Sequence, residues 1–118
     1  MRHFLVVEDL TPQEIEGVFA ISQDLETKYA AGIRDALFPG RVLALVFEKQ
    51  SLRTRVSFQT AMVHLGGSGL FLGDDTGFAS SRESVGDFSR VLSEYVDCIA
   101  CRAKSHATIE QLAASSSV

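Results

Sequence analysis

The stretch "RVLALVF", Arg41 to Phe47, is a nearly continuous apolar run. A strand of that composition has both faces covered, and a parallel sheet with helices packed on each side is the arrangement that covers them. "LFPG" breaks the chain just before the run, so the strand is predicted to start cleanly after Gly40.

Helical and strand signals alternate around it. Thr11-Pro12-Gln13-Glu14 combines an N-cap residue, a proline at the first helical position and the return glutamate of a capping box. Ile15, Val18, Phe19, Ser22, Leu25 and Tyr29 continue at helical spacing, which predicts a helix from about Pro12 to Ala31. Phe58, Ala61, Met62 and Leu65 mark a second helix, closed by Gly66-Gly67 as a C-cap signal. "GLFL" reads as a short strand, and "GDDTGFASSRES" as a long polar loop of the kind that is often functional. A third helix is expected from near Arg82, with Val85, Phe88, Leu92 and Tyr95 on one face. "VDCIAC" is a further strand, and "HATIEQLAA" a last short helix capped by Ser105. This order predicts an α/β fold: one domain over residues 1–118, with a parallel sheet of about four strands flanked by helices. The chain stops where another strand is expected, as though cut in mid-fold.

Composition excludes several classes of partner. The net charge of -4 gives no global attraction to nucleic acid or to an anionic membrane surface. No stretch approaches the roughly 18 apolar residues of a membrane span, and "MRHFLVVEDL" lacks a secretory-signal layout, so a cytoplasmic location is the default expectation. Cys98 and Cys101 form a C-x-x-C pattern inside a strand, where residues three apart point to opposite faces. They are expected to be two buried structural thiols, neither a redox pair nor half of a metal site.

Against that acidic background, "FEKQSLRTRVSFQ" gathers Lys49, Arg53 and Arg55 with Ser51, Thr54 and Ser57 at a strand-to-helix junction. Ligands of open α/β sheets bind at the carboxyl ends of strands, where helix N-termini present free N–H groups and partial positive charge. Arginine in a first helical turn opposes the helix dipole unless an anion is near. Ser51 and Thr54 supply hydroxyl groups, and Arg53 a planar pair of donors for phosphate or carboxylate. The segment lacks the glycines of a Walker loop and of a dinucleotide fingerprint. Arg102 follows directly on "VDCIAC", so it belongs to the same sheet edge and can converge with Arg53. A solvated helix start and a surface arginine are the plainer alternatives. His64 and His106 read as structural residues at helix ends.

"FEKQSLRTRVSF" resembles the carbamoyl-phosphate signature F-x-x-x-S-T-R-T-R-x-S-F of the aspartate/ornithine carbamoyltransferases. "HLGGSGLFL", "RESVGDFSRVLSEYVD" and "CR" follow in that family's order, so the likeness covers nearly the whole chain. It implies an N-terminal carbamoyl-phosphate-binding domain, with Ser51, Leu52, Arg53 and Thr54 as the phosphate loop and Arg102 reaching the ligand from the neighbouring strand. Arg53 and Arg102 would neutralise charge in carbamoyl transfer. Arg55 would support the loop, Glu83 would either pair with a loop arginine or serve as a helix-start acid, and Phe78 would act in trans from a neighbouring subunit.

The same likeness implies carbamoyl phosphate and phosphate as ligands, no cofactor or metal, and a homotrimeric full enzyme of arginine biosynthesis. The amine substrate would bind a second domain, which this chain lacks, so little or no transferase activity is expected of it. The "RESV…FSRVLS" helix looks more like ornithine than aspartate enzymes. Leu52 in place of the signature threonine, and the aromatic Phe78, resemble the branches that use acetyl- or succinylornithine. A non-catalytic anion-binding or assembly module is the competing expectation.

Overall fold

The computed structural model describes residues 2–73 and 83–118. Within it the chain forms two compact units, Arg2–Asp35 and Ala36–Val118.

The first unit is a short 3-10 turn, Val7–Asp9, followed by helix α1, Pro12–Ala30. The capping box forms as the sequence predicts: the Glu14 N–H donates to Thr11 Oγ1 (3.2 Å), and the Thr11 N–H donates to Glu14 Oε1 (3.0 Å). Arg2 also pairs with the Glu14 carboxylate. The Arg2 hydrogen bond, with that of the Thr11 N–H, lowers the Glu14 carboxyl to about 2. No residue of α1 is buried, and Val18, Phe19 and Tyr29 are exposed.

The second unit carries β1 (Val42–Phe47), α2 (Leu52–His64), β2 (Ser68–Leu72), α3 (Val85–Ser93), β3 (Cys98–Arg102) and α4 (His106–Ser115). Among the described residues the sheet has three strands in the order β2-β1-β3, all parallel, where the sequence predicts about four. β1 lies in the middle, and every residue from Leu43 to Phe47 is buried. Its two faces feed two cores. Ala44 and Val46 pack with Leu92, Val96 and Leu112 of the α3–α4 layer. Leu43, Leu45 and Phe47 pack with Met62 and Phe71 on the α2 side. Burial of a side chain such as Leu45 contributes about 1.5–3 kcal/mol, so this one strand anchors both layers.

α2 ends as Gly66-Gly67 predicts. The Gly66 N–H donates to the Val63 carbonyl and the Gly67 N–H to that of Met62, the paired bonds of a Schellman cap. Gly66 has φ +87, which a residue with a Cβ rarely adopts.

Four expectations are corrected. α3 begins at Val85 with Ser84 as its N-cap, and it ends at Ser93. The N–H groups of Tyr95 and Val96 both turn back to the Leu92 carbonyl, so Val96 enters the core and Tyr95 is left 79% exposed. Ser105 occupies the N-cap position of α4 without a side-chain cap bond; the Thr108 N–H closes the turn on the Ser105 carbonyl instead. Cys98 is exposed, not buried. Strand alternation sets Ile99 and half-buried Cys101 on the α3–α4 face and sends Cys98 to the other, and both thiols are free. Burial first, and the Glu48 carboxylate second, push the Cys101 thiol up to about 11.

The amino edge of the sheet is clipped by Asp97. Its carboxylate accepts the Val42 N–H (2.8 Å) and an Arg41 N–H (2.8 Å), while its own N–H donates to the Val42 carbonyl (2.9 Å). Those bonds, the Val42 N–H first, hold the Asp97 carboxyl below its ordinary value. A lowered folded value means that the stabilisation is complete above the unfolded carboxyl value of about 3.9 and disappears as pH falls through the folded one. Asp97→Ala is therefore expected to lower the thermal midpoint at neutral pH. Repeating the melts at falling pH should bring variant and parent together; a constant gap would show that the charge is not what the clip uses.

Candidate functional site

The carboxyl edge of the sheet is where β1 gives way to α2. Ser51 is the N-cap of α2: its Oγ accepts the Thr54 N–H (3.4 Å) and donates to Thr54 Oγ1 (2.8 Å). The first N–H groups of the helix, those of Leu52 and Arg53, have no acceptor inside it. No acidic residue occupies the first turn of α2, although carboxylates are the usual complement to a helix N-terminus.

The β1–β3 register brings the second half of the site. Phe47 stands opposite Arg102, and strand alternation gives these residues the α2 side of the sheet. The Arg102 guanidinium donates to Thr54 Oγ1 (3.4 Å). Thr54 thus receives both the Ser51 hydroxyl and Arg102, next in sequence to Arg53. Lys49, Arg53 and Arg102 are exposed, and among the described residues none of them is in an ion pair. The result is concentrated positive charge, free N–H groups and two hydroxyls on one edge, an arrangement chemically suited to a phosphate-like anion.

The remaining expected residues divide by location. Leu52 opens α2 and is 77% exposed, so it offers the site its backbone N–H and an apolar surface. Arg55 is held by contacts of its own. Its guanidinium lies 3.8 Å from the centre of the Phe71 ring and its Nε donates to Gln59 Oε1 (3.2 Å). Phe71 in turn meets Phe47 edge-on, with ring centres 5.7 Å apart. Glu83 is exposed and immediately precedes Ser84, whose Oγ accepts the Asp87 N–H (3.1 Å) to cap α3. Phe78 lies outside the described residues. His64 sits in the last turn of α2, away from its N-terminus, and His106 Nε2 is 3.5 Å from Glu110 on α4. Among the described residues no group of three His, Cys, Asp or Glu could hold a metal.

Sequence reasoning overlooked two supports. The seat of Arg55 joins Gln59 and Phe71, residues of α2 and β2 that only the fold brings together. Glu48, second residue of the conspicuous stretch, accepts the Lys104 N–H (3.2 Å) at the exit of β3. A carboxylate at a strand end was its only signal.

Comparison with known proteins bears on this arrangement. The family described as "Aspartate/ornithine carbamoyltransferase, carbamoyl-P binding domain" matches residues 2–118. Ornithine carbamoyltransferase of Wolinella succinogenes is 41% identical over 118 residues, covering 100% of this chain and 38% of that protein. The Chromohalobacter salexigens enzyme of the same name is 44% identical, covering 99% of this chain and 39% of its own length. This chain thus spans less than half of either relative. Ornithine carbamoyltransferase from Pyrococcus furiosus superposes with a TM-score of 0.95 at 38% identity, over 99% of this chain and 37% of that one. The catalytic subunit of M. jannaschii aspartate transcarbamoylase superposes with a TM-score of 0.89 at 32% identity, over 100% of this chain and 39% of that one.

The Arg55 seat is testable without any ligand. Arg55→Ala removes the stack on Phe71 and is expected to lower stability by about 1 kcal/mol, the scale of such a pair at an exposed position. Urea denaturation measures it, and an unchanged midpoint would show that the stack contributes nothing.

Proposed function

Because the chain belongs to the aspartate/ornithine carbamoyltransferase family, in its carbamoyl-phosphate-binding domain, we propose that it binds carbamoyl phosphate at the N-terminus of α2 and serves ornithine carbamoyl transfer. The observation that carries this reading is the meeting of Ser51, Thr54 and Arg102 at one helix N-terminus. The phosphate sits on the N–H groups of Leu52 and Arg53 and on the Ser51 and Thr54 hydroxyls. Arg53 and Arg102 neutralise its charge.

Transfer requires a neutral amine to attack the carbamoyl carbon while the bond to the phosphate oxygen breaks, the proton lost by the amine leaving with the phosphate. Negative charge then grows on the carbonyl oxygen and on the departing phosphate. No covalent intermediate with the protein is needed, because fixed positive groups that hold the acceptor and leaving group in place lower the barrier directly. Arg102, reaching in from β3, and Arg53, at the helix N-terminus, are both suited to that growing charge. Arg55, seated on Phe71, acts by bracing the first turns of α2.

On this reading the amine binds a second domain outside this sequence, which spans 38% of one relative and 39% of another. The chain alone therefore binds ligand but transfers little or nothing, and Phe78 serves a neighbouring site in a trimer. Ornithine is favoured over aspartate by the names of the two relatives above, both ornithine carbamoyltransferases. Leu52 in place of the signature threonine, with the aromatic Phe78, favours an acylated ornithine instead.

Calorimetric titration with carbamoyl phosphate tests the core of the reading. Saturable binding is expected, and Arg53→Ala should weaken it by about 10- to 100-fold, the equivalent of losing about 1.5–3 kcal/mol of charge-assisted bonding. Absence of binding by the folded parent, or equal binding by the variant, would remove this site from the function.

A further inference from the structure

Glu48 lies at the point where the β1–β3 ladder ends. Its N–H donates to the Arg102 carbonyl (2.8 Å), the bond expected if the parallel register continued one residue past Phe47 and Arg102. A continued ladder would then send the Lys104 N–H to the Glu48 carbonyl. It goes instead to the Glu48 carboxylate, Oε1, at 3.2 Å. The side chain thus supplies the last rung of the ladder. That substitution frees the β1 backbone to turn away toward Ser51 while β3 stays tied down on both sides of Arg102.

The geometry also separates this carboxylate from the anion site. Glu48 follows Val46 and Ala44 in the alternation, so its side chain takes the α3–α4 side of the sheet. Its influence on the Cys101 thiol, which packs on that same side, agrees with the assignment. Arg102 and Thr54 meet on the α2 side. A carboxylate among Lys49, Arg53 and Arg102 would compete with a bound anion, but one held behind the sheet anchors the backbone and leaves their charge available.

We propose that Glu48 is a positioning residue: by accepting the Lys104 N–H, its carboxylate fixes the exit of β3 so that Arg102 stays within reach of Thr54. This rests on the reading of that edge as the phosphate site. Glu48 touches no reacting atom and acts through the backbone on either side of Arg102.

The test compares Glu48→Ala and Glu48→Asp, which remove or shorten the acceptor, with Glu48→Gln, which keeps an acceptor of the same reach without charge. Two readouts need no ligand: the hydrogen-exchange rate of the Lys104 amide and the NMR signal of the Arg102 Nε–H. Glu48→Ala is expected to speed exchange at Lys104 by about tenfold and to shift the Arg102 signal, with Glu48→Gln close to the parent. Glu48→Asp is expected to move both readouts in the same direction as the alanine variant, and it carries the test if that variant does not fold.

Titration with inorganic phosphate should show about tenfold weaker binding by Glu48→Ala, equivalent to about 1.4 kcal/mol, and binding within about twofold of the parent by Glu48→Gln. Unchanged Lys104 exchange and Arg102 signal in the disruptive variants would overturn the proposal. So would parental phosphate affinity in a variant whose Lys104 amide has become free, because the tether would then have no bearing on the site. A parent chain that binds no phosphate would instead count against the site itself, and the two ligand-free readouts would still decide whether Glu48 holds Arg102.

Discussion

The parallel pairing of β1 with β3 is the constraint on which the site depends. β1 is covered on both faces, so its position in the sheet is determined by two separate apolar cores and not by one amphipathic face. Sliding β3 by a single residue would exchange its faces and carry Arg102 to the α3–α4 side, away from Thr54. The register that sets Phe47 opposite Arg102 is therefore a statement about chemistry as much as about packing. Both ends of the pairing are reinforced by side chains: Asp97 clips the amino edge and Glu48 the carboxyl edge.

Charge at the carboxyl edge is arranged against the local preference of the polypeptide. Helix N-termini favour acidic first turns, and α2 has none. The cost is kept tolerable by dividing the arginines between two tasks. Arg55 is taken up by Phe71 and Gln59, in contacts that brace α2 against β2. Arg53 and Arg102 remain exposed, with Thr54 and Ser51 beside them. A family whose description names carbamoyl phosphate matches this chain almost end to end, and the edge has the donors such a ligand requires.

The elements were largely legible because their signals are local. Thr11 and Glu14 announce a capping box within four residues, and Gly66-Gly67 announce a helix end through backbone geometry that few other residues accept. Errors arose where tertiary packing chose between neighbours of similar character. Tyr95 fits the helical spacing of Val85, Phe88 and Leu92, but the turn closed on the Leu92 carbonyl places the smaller Val96 in the core. Cys98 was expected inside because thiols usually are, yet on the face opposite Cys101, and with no strand beyond β3 among the described residues, it is exposed.

By itself the sequence determined the order of helices and strands, the central place of the apolar run from Leu43 to Phe47, and the cluster of cations and hydroxyls after it. Each of these is a property of residues close together along the chain, governed by capping, turn geometry and hydrophobic spacing. Tertiary structure decided which side of the sheet Arg102 faces, that Arg55 stacks on Phe71, and that Glu48 replaces a backbone carbonyl at the end of the ladder. Those outcomes depend on strand register and on contacts between residues distant in the chain, and no local propensity encodes a register that two buried cores must set together.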